Sequence, residues 1–339
     1  MNELPDYVQW GNFRCDPQPS RSRNARIAAW LVQGKRDHAQ ALVDRVLNRP
    51  SGGAVRYLAL TAHSLLTFVD IERICSVHEG WYEHGYINEI DLTFWIPVLG
   101  LKKEFGVWLP DRIAWFIPYI VVSNDYTMVE GREVYGFPKT EGWFDLPKDF
   151  RTGDRFHSEC LGLTDFGANT PVLRHPLVTV ERVAGDGDGG GAGEDGGGLT
   201  EAIQHFTGEA LDGVGDLLGS LPGVNRVTGW LAEELGRSQR MVFLNQFRDV
   251  AQPLKACYQA VVEAESEVTQ VHGGGRLPGQ YRMTLHHLAS APIADDLGLP
   301  GGTQVSIGKP APPLVMDLGP GLWSTFDFGL GTGSEVWRG

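Results

Sequence analysis

The stretch GREVYGFPKTEG, Gly131 to Gly142, places a single lysine, Lys139, directly behind an aromatic residue and a proline. Tyr135 and Phe137 supply apolar bulk beside this lysine, and Pro138 fixes its own φ and restricts the preceding residue to extended geometry. We predict that the preceding sequence is a strand. Burial of Lys139 is therefore expected, with Tyr135 and Phe137 contacting whatever binds next to it.

A buried lysine has two interpretations. An ordinary lysine has a pKa of about 10.4, so about one side chain in a few thousand is a neutral amine at pH 7. Desolvation that lowers this pKa by roughly 3 to 4 units makes the amine a nucleophile for carbonyl compounds. The alternative is an exposed, inert lysine at the end of a strand, which is the commoner situation for this residue type.

The composition limits the functional classes. The chain has 339 residues, 42% of them hydrophobic, a net charge of -13 and a pI of about 5.2. This acidic balance argues against nucleic acid as a partner, because a protein must offer cations to displace the counterions of a phosphate backbone. The four cysteines are far apart and show no zinc-binding spacing, so we predict reduced thiols and no metal. The GxGxxG-like spacings of residues 185–198 lack a βαβ context, so we predict no cofactor.

The distribution of apolar residues predicts the location of the protein. The N-terminal sequence lacks a cationic segment followed by an apolar one, so a signal peptide is not expected. The most apolar run, residues 113–123, is too short to span a bilayer and contains Pro118. We therefore predict a cytoplasmic protein that does not bind membranes.

The periodicity of the sequence predicts an α+β fold dominated by antiparallel strands. Residues 37–48 have a helical apolar face and a capping-box pattern of Asp37 with Gln40. Strand-like segments follow without alternating helices, which favours an antiparallel sheet or barrel. These segments are residues 27–32, 55–62, 87–98, 115–122, 126–137, 171–183, 257–275 and 280–289.

The middle of the chain predicts an interruption of this fold. Residues 185–198 are only Gly, Asp, Glu and one Ala, a composition that predicts a flexible loop. Residues 199–240 repeat apolar side chains at helical spacing and predict a helical insertion. Since strand-like sequence lies on both sides, we predict one domain over residues 1–339, and a split into two domains is the alternative.

The segment YTMVEGREVYGFPK, Tyr126 to Lys139, resembles the Schiff-base segment of the acetoacetate decarboxylase family. In both, a Gly-Arg-Glu triplet precedes a small residue, an aromatic residue, Pro and Lys. Residues 26–48, 55–63, 89–98, 258–269 and 280–299 also resemble that family. The resemblance implies the family's β-barrel or sheet core, a homo-oligomer, a small oxo-acid substrate, and Lys139 as the lysine that forms the imine.

The resemblance also implies roles for other residues. Glu89 and Asp91 lie two apart in INEIDLTF, so both point to one face of a strand. An ungapped match to the family favours Asp91 as the acid/base, whereas the shape of the motif favours Glu89, and both stay open. A family arginine that helps hold the substrate falls near Arg26.

Two departures from the family pattern widen the prediction. Thr140 stands where the decarboxylases have a second lysine, and Leu58 stands where they have a further acidic residue. Glu141, close in sequence, could stabilise the ammonium form of Lys139. We therefore predict a Schiff-base lyase for a β-keto acid or related oxo acid, of either decarboxylase or aldolase-dehydratase type. The alternative is a non-catalytic protein of the same fold that binds a carbonyl ligand.

Overall fold

The structure is a computed structural model and describes residues 4–9, 15–183, 239–301, 311–319 and 321–339. Most of these residues are in strands. The strands are β1 Ser20–Gln33, β2 Arg56–Ala59, β3 His63–Ser76, β4 Ile87–Glu104, β5 Val107–Val122, β6 Lys139–Asp145, β7 Arg155–Gly162, β8 Leu173–Val183, β9 Gln239–Arg248, β10 Ala256–Arg276, β11 Gln280–Leu285, β12 Leu314–Leu318, β13 Leu322–Leu330 and β14 Ser334–Arg338. The helices are α1 Arg36–Val43, α2 Asp125–Val134 and α3 Ile293–Leu297, with a π-helical turn at Asp44–Asn48 and 3-10 turns at Tyr82–His84 and Phe150–Thr152.

Strand pairing closes seven strands into a ring in the order β5, β9, β10, β13, β1, β3 and β4, because β4 also pairs with β5. From β5 the sheet continues through β6, β7, β8 and β11 to β12. Only the β5–β6 and β5–β9 pairs are parallel within the described residues. The predicted α+β class with a mainly antiparallel sheet is confirmed.

The ring strands have two faces with different surroundings. One face packs against α1 and the sheet β6–β7–β8–β11–β12, and its core includes Trp30, Phe68, Phe94, Phe116 and Phe156. The ring centres of Trp30 and Phe156 are 5.1 Å apart, and the rings meet edge to face at an interplanar angle of 71°. The other face, called the inner face below, surrounds a cavity. Alternation along the strands sends neighbouring side chains to opposite faces, so Ala29 lines this cavity while Trp30 does not.

The strand prediction for residues 126–137 is wrong, because these residues form most of α2. The side chain of Asn124 caps this helix and accepts a hydrogen bond of 2.9 Å from the backbone NH of Tyr126. The β-branched and aromatic residues of the segment suggested a strand, but β-propensity yields readily to tertiary packing. The helix matters for the site, since only the short turn 135–138 separates it from Lys139.

The helix predicted over residues 37–48 is confirmed as α1 and its π-helical extension, but the capping box is wrong. The helix begins after Lys35, whose side chain makes no capping hydrogen bond. Gln40 instead fastens β2 to the helix, since its Oε1 accepts a hydrogen bond of 2.8 Å from the NH of Ala59. A tertiary contact with β2 therefore uses the side chain of Gln40, which the sequence pattern assigned to the N-terminal cap of the helix.

The predicted loop 185–198 lies outside the described residues, as does nearly all of the predicted insertion 199–240. Its last two residues are described, and both Gln239 and Arg240 belong to β9 rather than to a helix. The described helices include none long and apolar enough to cross a membrane. The four cysteines are free thiols in the structure.

Candidate active site

Lys139 is the first residue of β6, immediately after the turn that follows α2. Its strand runs parallel to β5, with Lys139 beside Ile120. Gly136 in the turn has φ of +78° and lies against the backbone of Asn245, where a β-carbon would collide. The side-chain amide of Asn245 donates hydrogen bonds of 3.1 Å to the carbonyl oxygens of the last residues of α2. The turn that delivers the lysine is thus held in place by β9.

The side chain of Lys139 is buried, as the sequence predicts, and it ends at a carboxylate. Its Nζ lies 2.6 Å from Oε2 of Glu89, with 9% of the lysine side chain and 7% of the glutamate side chain exposed. Nζ also lies 5.6 Å from the centre of the Phe137 ring. Gly131 of α2 makes room for the aliphatic part, since a β-carbon there would stand 3.0 Å from Cδ of Lys139. The environment therefore combines an apolar wall with one opposite charge.

Asp91 lies near the Lys139–Glu89 pair and belongs to β4, the strand that contains Glu89. It is buried and lines the same cavity as Glu89 and Lys139, so both predicted acidic residues reach the lysine's surroundings. Its Oδ1 has no hydrogen-bond partner among the described residues. Burial, followed by the negative charge of Glu89, raises the pKa of Asp91 well above its usual range, although Lys139 acts in the opposite direction. Asp91 thus favours the neutral acid, which can donate a proton.

A third carboxyl group, Glu130, was missed by the sequence reasoning. It lines the cavity from α2 and accepts a hydrogen bond from Nε2 of Gln18. Burial raises the pKa of Glu130 to about 7; the charges of Asp16 and Glu89 add to this, and Lys139 and the Gln18 hydrogen bond oppose it. In a helix, Thr127, Glu130 and Gly131 share one face, and all three line the cavity. Had the sequence predicted a helix for this segment, the spacing would have placed Glu130 on the same face as Thr127 and Gly131.

Tyr135 and Phe137 line the cavity next to Lys139, where the sequence places them. Their rings stack with centres 4.9 Å apart, and Phe137 packs against Phe243 at 4.3 Å. The hydroxyl of Tyr135 donates a hydrogen bond of 2.6 Å to the carbonyl oxygen of Gly331. Burial and the charge of Glu130 raise the pKa of Tyr135, so this tyrosine remains a neutral wall residue.

Arg26 does not reach this cavity. It forms an ion pair with Asp70, donates a hydrogen bond of 2.6 Å to the carbonyl oxygen of Lys148 and stacks over Phe150. Its neighbour Ile27 lines the cavity, and alternation along β1 therefore sends Arg26 to the opposite face. This position does not fit the substrate-holding role implied by the resemblance. Residues 58, 140 and 141 are likewise absent from the described lining.

The cavity has a volume of about 190 Å³. All seven ring strands contribute lining residues, together with α2 and Lys139 of β6. Its titratable acidic and basic groups among the described lining residues are the amine of Lys139 and the three carboxyl groups of Glu89, Asp91 and Glu130. An amine, an adjacent carboxylate and a carboxyl group that favours its proton are the components required to form and hydrolyse an imine.

No protein-family model matches the chain, and no curated protein does either. Solved structures do match. An acetoacetate decarboxylase from Legionella pneumophila is 13% identical with a TM-score of 0.56, covering 99% of this chain and 94% of its own. A second acetoacetate decarboxylase structure is 14% identical with a TM-score of 0.54, covering 95% and 91%. An acetoacetate decarboxylase-like enzyme from Sphingomonas wittichii is 12% identical with a TM-score of 0.52, covering 95% and 94%. The chain therefore has the acetoacetate-decarboxylase-like fold predicted from its sequence.

Proposed function

We propose that the protein is a Schiff-base-forming lyase that acts through Lys139 on a β-keto acid or a related oxo acid. The observation that carries this proposal is the placement of the Lys139 amine 2.6 Å from the Glu89 carboxylate in a mostly apolar cavity. The fold is shared with acetoacetate decarboxylases, which supports the proposal by analogy, since a fold alone does not determine a reaction.

The first step is formation of the imine. Glu89 takes a proton from Nζ of Lys139, and the neutral amine attacks the carbonyl carbon of the substrate. Asp91, as the neutral acid, donates its proton to the carbonyl oxygen. Asp91 then takes a proton from the nitrogen of the carbinolamine, and Glu89 donates its proton to the hydroxyl group, which leaves as water when the carbon–nitrogen double bond forms.

The iminium then accepts an electron pair from the neighbouring carbon. When the substrate loses its carboxylate as carbon dioxide, an enamine remains. When an α-proton instead leaves to a carboxylate side chain, the enamine keeps the substrate's carboxyl group, and it can add to a second carbonyl or expel a β-hydroxyl group as water. Protonation of the enamine and attack of water on the imine return the Lys139 amine. Release of carbon dioxide distinguishes the decarboxylase from the aldolase-dehydratase reaction.

Borohydride trapping tests the proposal. The protein is incubated with acetoacetate or pyruvate, reduced with borohydride, digested and mapped by mass spectrometry. We expect the adduct on Lys139 and its loss in Lys139→Ala, whereas Lys102→Ala, which removes an exposed lysine, retains it. Labelling of Lys139→Ala at the wild-type level would refute the proposal. Where the adduct forms, carbon dioxide from acetoacetate is then measured.

A second function is favoured by the same ion pair. Glu89 stabilises the ammonium form of Lys139 through charge attraction, and an ammonium cannot form an imine. In that case the protein binds a carbonyl ligand without a covalent step. Saturable binding of the oxo acid by calorimetry, together with no adduct on Lys139 after reduction, would support this non-catalytic role.

A further inference from the structure

The inner face continues from the carboxyl groups into an apolar wall. Strand register places Val69 beside Asp91 and Ile27 beside Val69, while Ile71 is beside Glu89. Side chains that are paired across antiparallel strands point to the same face. All of these residues line the cavity, so hydrocarbon lies in the same rows as the acidic groups.

Further apolar side chains extend this wall along β3 and β13. Ile27, Val69 and Ile71 form one buried cluster, against which Ile74, Phe326 and Phe328 pack. Each of the six also lines the cavity. Burying an apolar substituent against such a surface is favourable in proportion to the area removed from water. The inner face thus offers binding energy to a part of the ligand that does not react.

The cavity is larger than a small oxo acid requires. Its volume of about 190 Å³ compares with roughly 10–15 Å³ for one water molecule measured in the same way. It therefore holds on the order of a dozen atoms or more. A four-carbon substrate would leave much of the inner face without contact.

The described lining of the cavity offers no second cation to an acidic substituent. Among the described lining residues the one cation is Lys139, which Glu89 already contacts. A carboxylate at the far end of a substrate would lose its hydration and meet no second cation along the described lining. The described lining therefore selects for an uncharged substituent.

We propose that the carbonyl substrate of Lys139 carries an uncharged, apolar substituent of roughly six carbons or more, bound along the inner face. This inference rests on the proposed function, because it assigns the substrate class of the same site. Imine formation consumes the substrate carbonyl and the Lys139 amine and releases one water, whatever the substituent. The apolar wall strengthens substrate binding, so it changes only the substrate concentration at which imine formation on Nζ is half-maximal.

Three methyl ketones test this proposal on the full-length protein. These are 2-butanone, 2-nonanone and 8-oxononanoate, the last two differing only in a terminal methyl or carboxylate group. Each is titrated in the presence of cyanoborohydride, and adduct on Lys139 is quantified by mass spectrometry. We expect half-maximal labelling by 2-nonanone at a concentration at least tenfold lower than for the other two.

The outcomes separate the two proposals. Equal concentrations for 2-butanone and 2-nonanone, or preference for 8-oxononanoate, with the adduct still on Lys139, would overturn the substrate class while leaving the Schiff-base chemistry intact. No adduct with any ketone or oxo acid would overturn the proposed function itself.

A variant of the wall gives an independent test. Val69→Phe adds bulk to the row that contains Asp91. We expect the preference for 2-nonanone over 2-butanone to fall at least fivefold, and an unchanged preference would contradict the inference. If near-ultraviolet circular dichroism shows that Val69→Phe is misfolded, Ile74→Phe serves the same purpose, since Ile74 lines the cavity and is only half-buried.

Discussion

Nζ of Lys139 and Oε2 of Glu89 are 2.6 Å apart, and more than nine-tenths of each side chain is buried. Burial removes hydration from both groups, and their mutual attraction offsets this cost only while both are present. Removal of either partner leaves the other buried in the cavity without an opposite charge in contact with it. The pair is therefore expected to contribute to the stability of the fold as well as to the proposed chemistry.

Single and double substitutions of this pair should be non-additive. Glu89→Gln is expected to lower the free energy of unfolding by about 3–5 kcal/mol, because it leaves the ammonium of Lys139 buried and unpaired. Lys139→Met removes that ammonium, so the double variant should lose less than the sum of the two single losses by at least about 1 kcal/mol. Urea unfolding of the four proteins measures the coupling. Additive losses would show that the pair contributes nothing as a pair.

Asp91→Asn should separate stability from chemistry. Because burial and Glu89 raise the pKa of Asp91, they favour its protonated form, and the amide is the closest neutral substitute for that form. We expect a loss of about 1 kcal/mol or less in the free energy of unfolding at pH 6. The rate of adduct formation on Lys139 should fall about 100-fold, since a proton donor is lost.

The control for Asp91→Asn is Asp317→Asn, which changes an exposed carboxylate paired with Arg282. It should leave the rate of adduct formation unchanged. A destabilisation of several kcal/mol by Asp91→Asn would show that Asp91 is an anion in the native protein. An unaltered rate would exclude Asp91 as the proton donor.

Glu130 should make the wild-type stability depend on pH. Its native pKa is raised to about 7, so between the unfolded value of 4.5 and 7 the native state retains a proton that the unfolded state loses. The free energy of unfolding therefore falls as pH rises through this range, by on the order of 1–3 kcal/mol from this group. Glu130→Gln should lack that part of the fall between pH 5 and pH 8.

Urea unfolding at several pH values measures this difference. Glu133→Gln is the matched control, since Glu133 lies on the same helix but does not line the cavity. Parallel pH curves for the wild type and Glu130→Gln would contradict the assignment. The comparison needs no assumption about the reaction, because it follows only the linkage between protonation and folding.

Part of the site was predictable because it depends on local geometry. A period of two places Glu89 and Asp91 on one face of a strand, and the structure brings both to Lys139. Glu130 was not predictable in the same way, since its segment carries β-branched and aromatic residues and still forms a helix. Arg26 and Ile27 are neighbours in β1, so their side chains point to opposite faces of the sheet. Ile27 lines the cavity, and Arg26, which the resemblance assigned to substrate binding, therefore lies on the other face.

Non-local pairing accounts for the largest gap in the predicted fold. The segment LWSTFDFG lies among glycines and prolines and looks like a C-terminal tail, yet it forms β13 between β1 and β10. Its register is set by strands that are distant in sequence, such as the pairing of Phe326 with Ala25. Local propensity contains no information about those partners. The apolar wall of the cavity could therefore be recognised only in the folded chain.

Gly131→Ala should impair the site without unfolding the protein. Alanine favours a helix over glycine by about 1 kcal/mol, but its β-carbon would stand 3.0 Å from Cδ of Lys139 and 3.0 Å from Cδ2 of Phe137. These neighbours must shift by a few tenths of an ångström, which moves Nζ relative to Glu89. We expect the free energy of unfolding to change by less than about 1 kcal/mol, because the gain in helix propensity offsets the crowding. Adduct formation on Lys139 should slow at least about tenfold, since small displacements of reacting groups are costly.

Val129→Ala, a truncation in the same helix away from the cavity lining, should leave the rate near the wild-type value. A wild-type rate for Gly131→Ala would mean that Lys139 reaches its reactive position without the clearance that this glycine provides.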